Sequence, residues 1–280
     1  MKKVLITGAN SYIGVSFETY MRQWAPQYRV DTLDVIGDGW MQTSFAGYDT
    51  VFHVAGIAHR KETAENAALY YQVNRDLALD IARKAKADGV KHFVFMSSMS
   101  VYGMDRGVIT PDTKPAPTTN YGRSKLEAEI GLQSLADESF LLTVLRPPMV
   151  YGKNCRGNFQ LMLKLAQKSP VFPAVNNRRS MISIENLCRF VYLVIGRQEP
   201  GLFCPQNREY VNTTQMVRLI AQKLDRRIFF SRLAGLAVGA MVPFVSVARK
   251  AFSTLIYEDF ERHDFSYCTE SFEDSVRDSI

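Results

Sequence analysis

Tyr121 and Lys125 stand four residues apart in Tyr121-Gly-Arg-Ser-Lys125, a spacing that puts both side chains on one face of a helix. A phenol titrates near pH ~10 in water, too high for a base at neutral pH. A neighbouring ammonium favours the phenolate and lowers that value. The pair therefore suits proton transfer, with Tyr121 moving the proton and Lys125 poising it. On spacing alone an ordinary solvated helix face is the better reading. Position in the chain favours the chemistry, because the pair follows a glycine-bearing strand-turn-helix and the dipeptide Ser97-Ser98.

The elements that must hold such a group are readable in order. Lys3-Val-Leu-Ile-Thr7 is a short apolar run suited to a strand buried in a parallel sheet. Gly8-Ala-Asn-Ser-Tyr-Ile-Gly14 follows. Gly8 permits a tight turn, and Gly14 permits close packing of a helix that runs to about Trp24. The start of that helix offers N–H groups to a pyrophosphate. Ser11 stands where a glycine is expected, and a plain strand-turn-helix is the alternative reading. The second strand ends at Asp34, placed to meet adenosine ribose hydroxyls and to repel a 2′-phosphate, which favours NAD over NADP. A strand-end turn residue is the other reading of Asp34, and Asp31 competes for the role.

Asp49-Thr-Val-Phe-His-Val-Ala-Gly56 reads as a buried strand ending in small residues that let a cofactor approach. His53 within it reads as packed or hydrogen-bonded. Residues 66–87 show one helical period, with Asn74 in the interior, a poor place for asparagine and so a candidate for a specific hydrogen bond. His92-Phe-Val-Phe-Met96 is the next strand, with Ser97-Ser98 at the carboxyl end where open parallel sheets bind ligands. Residues 104–119, with three prolines, read as loop. Leu141 to Arg146 is the last clear strand, stopped by Pro147-Pro148, and helical spacing returns over 158–168, 186–195 and 213–224.

The chain has 280 residues, 46% hydrophobic and 22% charged, enough for one large domain or a domain with a smaller lobe. Met1-Lys-Lys runs directly into Val4-Leu5-Ile6 without a signal pattern, and four scattered cysteines fit reduced thiols in a cytoplasm. Neither cysteines nor histidines have metal-ligand spacing, so no metal is expected. The net charge of +6 is spread along the chain, which points to an anionic small substrate or plain solubility rather than nucleic acid. Residues 233–247 carry no charge and are flanked by Arg226, Arg227, Arg232, Arg249 and Lys250. They read either as a helix packed on the lobe or at a subunit contact, or as an interfacial segment touching an anionic bilayer weakly.

The ordered set Thr7-Gly-Ala-Asn-Ser-Tyr-Ile-Gly14, Phe52-His-Val-Ala-Gly56, Asn74, Ser97-Ser-Met-Ser-Val-Tyr-Gly103, Tyr121-Gly-Arg-Ser-Lys125 and Leu145-Arg-Pro-Pro-Met-Val-Tyr-Gly152 resembles the extended short-chain dehydrogenases/reductases, in their sugar-nucleotide epimerase and dehydratase group. The resemblance implies a Rossmann-type doubly wound α/β fold, with an NAD-binding core over 1–152 and a substrate lobe over 153–280 interleaved with the last core elements. It implies Ser98, Tyr121 and Lys125 as the catalytic set. Gly8, Asn10, Ser11, Tyr12, Ile13, Gly14, Asp34, Val54, Ala55, Gly56, Asn74, Tyr121, Lys125 and Pro148 would bind NAD. Asn158 and Phe159 would lie under the uracil of a UDP-linked sugar, Arg179 would meet its diphosphate, and Ser98 would touch the sugar. The implied activity is 4-epimerisation, or reduction of a 4-keto-6-deoxy sugar, for surface polysaccharide synthesis. A dinucleotide sensor or scaffold is a third reading. The resemblance also implies a homodimer built on helices 66–87 and 121–137. The expected place is the cytoplasm, with a possible position against the inner membrane face. Two departures from the family pattern are Ser11 and a chain shorter than the well-known epimerases.

Overall fold

The computed structural model describes residues 1–58, 60–155, 157–258, 260 and 264–280, so His59 and His263 lie outside the described residues. The first part of the chain contains β1 (Lys2–Thr7), α1 (Tyr12–Met21), β2 (Tyr28–Leu33), β3 (Thr50–His53), α2 (Ala67–Tyr71), a π turn (Gln72–Asp76), α3 (Leu77–Ala87) and β4 (His92–Met96). Then come β5 (Gly107–Ile109), α4 (Asn120–Gln133), β6 (Leu141–Leu145), β7 (Met149–Tyr151), α5 (Asn158–Lys168), β8 (Val171–Pro173) and β9 (Met181–Ser183). The chain closes with α6 (Ile184–Arg197), β10 (Gly201–Phe203), α7 (Thr213–Lys223), β11 (Phe229–Ser231), α8 (Arg232–Met241), α9 (Ser246–Phe252), β12 (Leu255–Tyr257) and α10 (Phe272–Asp278).

These elements gather into two compact units. One comprises Met1–Gly103, Lys114–Pro147 and Cys188–Pro205; the other comprises Met104–Thr113, Pro148–Leu187 and Gln206–Ile280. In the first unit, six strands form a sheet in the order β10-β6-β4-β3-β1-β2, every pair parallel. Val4, Leu5 and Ile6 are all buried, as a strand covered on both faces requires. On one face, Leu5, Val51, Phe93, Phe95 and Val144 pack with Ala78, Ile81, Ala82 and Ala85 of α3 and with Ala128 and Leu132 of α4. On the other, Phe17 of α1 meets Phe52 edge-on at 5.1 Å, and Phe190 of α6 meets Phe203. This is the doubly wound α/β architecture. The chain runs outward from β1 to β2 on one side and returns to β3 on the other. That reversal opens a crevice at the carboxyl ends of β1 and β3, where such sheets take ligands.

The second unit holds three two-stranded parallel pairs, β11-β8, β12-β5 and β7-β9. β5 corrects the reading of 104–119 as loop throughout: Gly107–Ile109 pairs with Leu255–Tyr257. Three-residue strands whose partner lies far along the chain leave no period-2 signal. β10 escaped notice for the same reason.

Candidate active site

The loop after β1 is shaped by backbone torsion. Gly8 has φ +114° and Asn10 φ +66°. A Cβ on Gly8 would come within 2.7 Å of the Ala55 backbone nitrogen, so only glycine fits. Ser11 has φ −71° and ψ 146° and is the N-cap of α1, its Oγ accepting from the Gly14 N–H at 3.1 Å. The expected glycine at 11 is therefore not required: the left-handed turn is made one residue earlier, and the hydroxyl caps the helix. The start of α1 turns its positive end toward this loop, where an anion is favoured. Val54 and Ala55 both donate to the Thr7 carbonyl, and a Cβ on Gly14 would press on the Val54 side chain. Gly8 and Ala9 donate to the Leu33 carbonyl, which brings the end of β2, and Asp34 beside it, against this loop. Asp34 is exposed, and its Oδ1 accepts from the Ile36 N–H. Asp31, the competitor, is tied to Arg29 and to the Tyr48 hydroxyl.

Residues 66–87 are not one α-helix, as the period suggested. A π turn at Gln72–Asp76 interrupts them and contains Asn74. Asn74 is fully buried; its Oδ1 accepts from the Ile57 N–H at 2.9 Å, and its Nδ2 donates to the Ile57 carbonyl and to the Ser124 Oγ at 3.1 Å. Asn74 thus joins the segment after β3 to α4. A Cβ on Gly56 would lie 2.9 Å from Asn74 Oδ1 and 3.3 Å from Lys125 Nζ. The small residue there leaves room for both groups. Such a cradle, with a helix start beside it, fits the pyrophosphate and ribose of a dinucleotide.

The Tyr–Lys pair lies on α4, and its two serine neighbours separate cleanly. Ser97 is buried and donates to Glu129. Ser98 caps the short 3₁₀ turn Met99–Tyr102, its Oγ accepting from the Ser100 N–H at 3.1 Å and donating to the Ser100 Oγ at 3.2 Å, and it lies close enough to the Tyr121 phenol to act on its pKa. Lys125 is buried; its Nζ donates to the Met96 carbonyl at 2.8 Å and lies 4.7 Å from the Phe95 ring centre. Burial pulls its pKa down to about 8, against the opposing charge of Glu129. The Tyr121 phenol moves the other way from the sequence expectation. Burial raises its pKa, the Ser98 hydrogen bond lowers it in part, and Tyr70 adds to the rise. In this ligand-free arrangement the ammonium sits on a backbone carbonyl, and desolvation decides the sign. His53 is packed, as expected: Thr7 Oγ1 bonds its Nδ1 at 2.8 Å, and burial together with the Lys125 charge pulls its pKa down to about 3.

Several residues that sequence reasoning passed over hold this set in place. Glu62 accepts from the N–H groups of Asn120 and Tyr121 at 2.9 and 3.0 Å, so a carboxylate closes the start of α4 where the helix field favours it. Thr119 caps the same helix through Gly122. Glu129 and Arg146 form a buried ion pair at 2.5 Å, and Arg146 also donates to the Tyr102 hydroxyl at 2.9 Å. Glu129 lies four residues beyond Lys125, so the face bearing Tyr121 and Lys125 continues into a third ionisable group. That repeat was the available signal; Glu62 had none, being 58 residues from Asn120.

Arg179, Asn158, Phe159 and Pro148 belong to the second unit. Asn158 opens α5 after Gly157, whose φ of +95° turns the chain into the helix without a side-chain cap. Phe159 is fully buried, its ring stacked against Tyr151. Arg179 bridges backbone to Val211 and donates to the Ser253 carbonyl at 2.9 Å; burial lowers its pKa. Pro148 is buried next to β7.

A family model described as the NAD dependent epimerase/dehydratase family matches residues 4–203. Among curated proteins, a UDP-glucose 4-epimerase of Vibrio cholerae is 31% identical over 251 residues, 80% of this chain and 76% of that protein. An N-acetyl-alpha-D-glucosaminyl-diphospho-ditrans,octacis-undecaprenol 4-epimerase of Escherichia coli O157:H7 is 28% identical over 202 residues, 70% of this chain and 60% of that one. Among solved structures, the UDP-glucuronic acid 4-epimerase from Bacillus cereus in complex with NAD matches with a TM-score of 0.76 at 16% identity, over 99% of this chain and 97% of the other, a likeness of fold. The family match spans the glycine loop, Asn74 and the Ser98–Tyr121–Lys125 set alike: this chain belongs to the NAD-dependent epimerase/dehydratase family of enzymes, with NAD as its cofactor.

Proposed function

We propose that this enzyme is a sugar-nucleotide 4-epimerase acting on a UDP-hexose or UDP-N-acetylhexosamine through a 4-keto intermediate, in the synthesis of surface polysaccharide. The observation that carries the reading is the buried Lys125 ammonium, on the Met96 carbonyl at 2.8 Å and 3.3 Å from where a Cβ of Gly56 would lie, one helical turn from Tyr121 on the same helix. Bound NAD supplies the acceptor that takes a hydride from the sugar C4 and gives it back. Tyr121 takes the proton from the C4 hydroxyl and later returns it. Ser98 holds the same oxygen. Lys125 steadies the phenolate: an ammonium has three donors, of which one is on Met96. Without that charge, burial keeps the phenol protonated.

In this reading Asp34 holds the adenosine ribose; Gly8, Asn10, Ser11, Tyr12, Ile13 and Gly14 hold the pyrophosphate; Val54, Ala55, Gly56, Asn74 and Pro148 line the rest of the cofactor. Asn158 and Phe159 lie under the uracil, and Arg179 meets the diphosphate. The NAD-binding core is 1–152 and the substrate lobe 153–280, interleaved with the last core elements such as β10. The enzyme works in the cytoplasm as a homodimer through helices 66–87 and 121–137, with peripheral contact to the inner membrane face. No helix among the described residues is long and apolar enough to cross a membrane.

Incubation with UDP-glucose, UDP-N-acetylglucosamine and a UDP-4-keto-6-deoxy sugar, each with and without added NADH, tests the activity. A C4 epimer formed without NADH is the expected result. Turnover of the keto sugar alone, with NADH consumed, would replace the epimerase with a reductase. Light scattering tests the dimer, and a monomer mass would remove it.

A further inference from the structure

The second unit carries an apolar surface that the chemistry at Tyr121 does not use. Of the sixteen large hydrophobic side chains exposed among the described residues, ten lie between Leu161 and Val245, and nine of those, all but Leu202, belong to this unit. Leu233 is 80% exposed, Leu236 73%, Phe244 86% and Phe229 69%. This surface is wider than 233–247. Val171 and Phe229 are register partners in the β8–β11 pair, and both are exposed. Leu161 and Leu165 of α5 extend it and also line an apolar crevice of about 130 Å³ with Met162, Phe172 and Phe252.

The exposure is built in, not the result of a loose helix. Ser231 caps α8 through the Ala234 N–H. Gly235 is buried, and a Cβ there would fall 2.0 Å from the Ala174 carbonyl oxygen. The glycine presses α8 flat against the unit and turns Leu233 and Leu236 outward. Contiguous exposed apolar surface of this kind marks an interaction site.

Charge says what covers it. Segments 153–184 and 226–257, which supply the surface, hold eleven Lys and Arg and no Asp or Glu. Among the described residues, Asp105 reaches it from elsewhere as an ion-pair partner, 3.8 Å from Arg249. Lys164, Lys168, Arg226, Arg227, Arg232 and Lys250 are exposed around the apolar side chains. An isologous contact with a second copy would set these cations against themselves. An anionic bilayer meets both features, taking the leucines and phenylalanines into its interface and the cations at its headgroups.

We infer that α8 and α9, with β8, β11 and α5, form a face that docks the enzyme on an anionic phospholipid bilayer. The face is independent of the sugar chemistry proposed above.

Co-sedimentation tests it, using vesicles of phosphatidylcholine alone and of two parts phosphatidylcholine to one part phosphatidylglycerol, at low and high salt. The full chain is expected to pellet with the anionic vesicles at low salt, to be released by high salt and to ignore the neutral ones. The double variants Leu233→Ser/Leu236→Ser and Arg226→Glu/Arg227→Glu should each weaken partitioning by about tenfold or more, with melting temperature, NAD binding and turnover in solution unchanged. Wild-type protein left in the supernatant with anionic vesicles at low salt overturns the inference, as does undiminished pelleting of both variants. A halved mass of the leucine variant in light scattering also overturns it, by assigning the face to a contact between copies. If no sugar nucleotide is turned over in solution, the epimerase reading fails and the vesicle result stands by itself.

Discussion

Two helices of this chain invert the usual rule, in opposite directions. α4 buries Lys125 and Glu129, side chains that normally seek water. α8 exposes Leu233 and Leu236, which normally leave it. Each inversion is anchored. On α4 the anchors are polar: Glu129 is met by Arg146 and Ser97, Lys125 by the Met96 carbonyl, and the helix start by Glu62. On α8 the anchor is steric, a single glycine pressed on a carbonyl. Buried charge must be fully partnered or it unfolds the protein. Exposed apolar surface costs the fold little and acts only when something arrives to cover it. The first helix is therefore bound to stability and chemistry together, the second to an encounter.

The largest effect should come from the centre of α4. Tyr121→Phe keeps the packing and removes the hydroxyl, so kcat should fall by ~10²–10⁴ with melting temperature and NAD affinity held. Near-full activity on a confirmed substrate would leave Tyr121 an ordinary helix residue. Next, Arg146→Ala strands Glu129 and should cost ~3–5 kcal/mol in urea denaturation. The double variant Glu129→Leu/Arg146→Met should recover most of it; failure to do so would mean that the pair is not what the helix depends on.

A smaller effect is set by pH. Unfolded, Lys125 holds its proton up to its ordinary value of 10.5; folded and ligand-free, it releases it near 8. Between those values the unfolded chain binds more protons, so this group makes stability rise with pH. Tyr121, shifted upward, works the other way, and only as the pH passes 10. Melts at pH 8 and about pH 9.5 should show a gain in wild type beyond that in Lys125→Met; equal slopes would put the ammonium in water. Smallest of all, Leu236→Ser should change stability by no more than ~0.5 kcal/mol. A larger loss would make α8 part of the core and end the contrast between the helices.

What could be read in advance followed the range of the interaction. β1, β3 and β4 are continuous apolar runs, and Gly8, Gly14, Tyr121 and Lys125 sit at fixed short spacings, so both were visible. Ser11 looked like a defect because its position was compared with a glycine; the torsions show that Asn10 carries the positive φ and leaves Ser11 free to cap. The charges were misjudged for a different reason. Spacing placed Lys125 on the same face as Tyr121 but not how deep both lie, and burial reverses the expected shift of the phenol. Glu62 and the β5–β12 pairing join residues far apart in the chain, and no local period announces them; of the Glu129–Arg146 pair only Glu129 was marked, by its four-residue spacing from Lys125.

The π turn at Gln72–Asp76 has a consequence for insertions and deletions. A π turn holds one residue more than the α-helical turn it replaces. Deleting one residue there would close the turn as a regular α-helical one, with the segments on either side still in phase. Tyr70 and the buried stripe Ala78, Ile81, Ala82 and Ala85 would keep their alignment, and the bulged placement of Asn74 would be lost. Place therefore matters more than composition: the exposed Gln72 can be exchanged with little effect, a deletion inside the π turn acts on the Asn74 bond to Ile57, and a deletion elsewhere between Ala67 and Ala87 turns one segment by about 100° against the other.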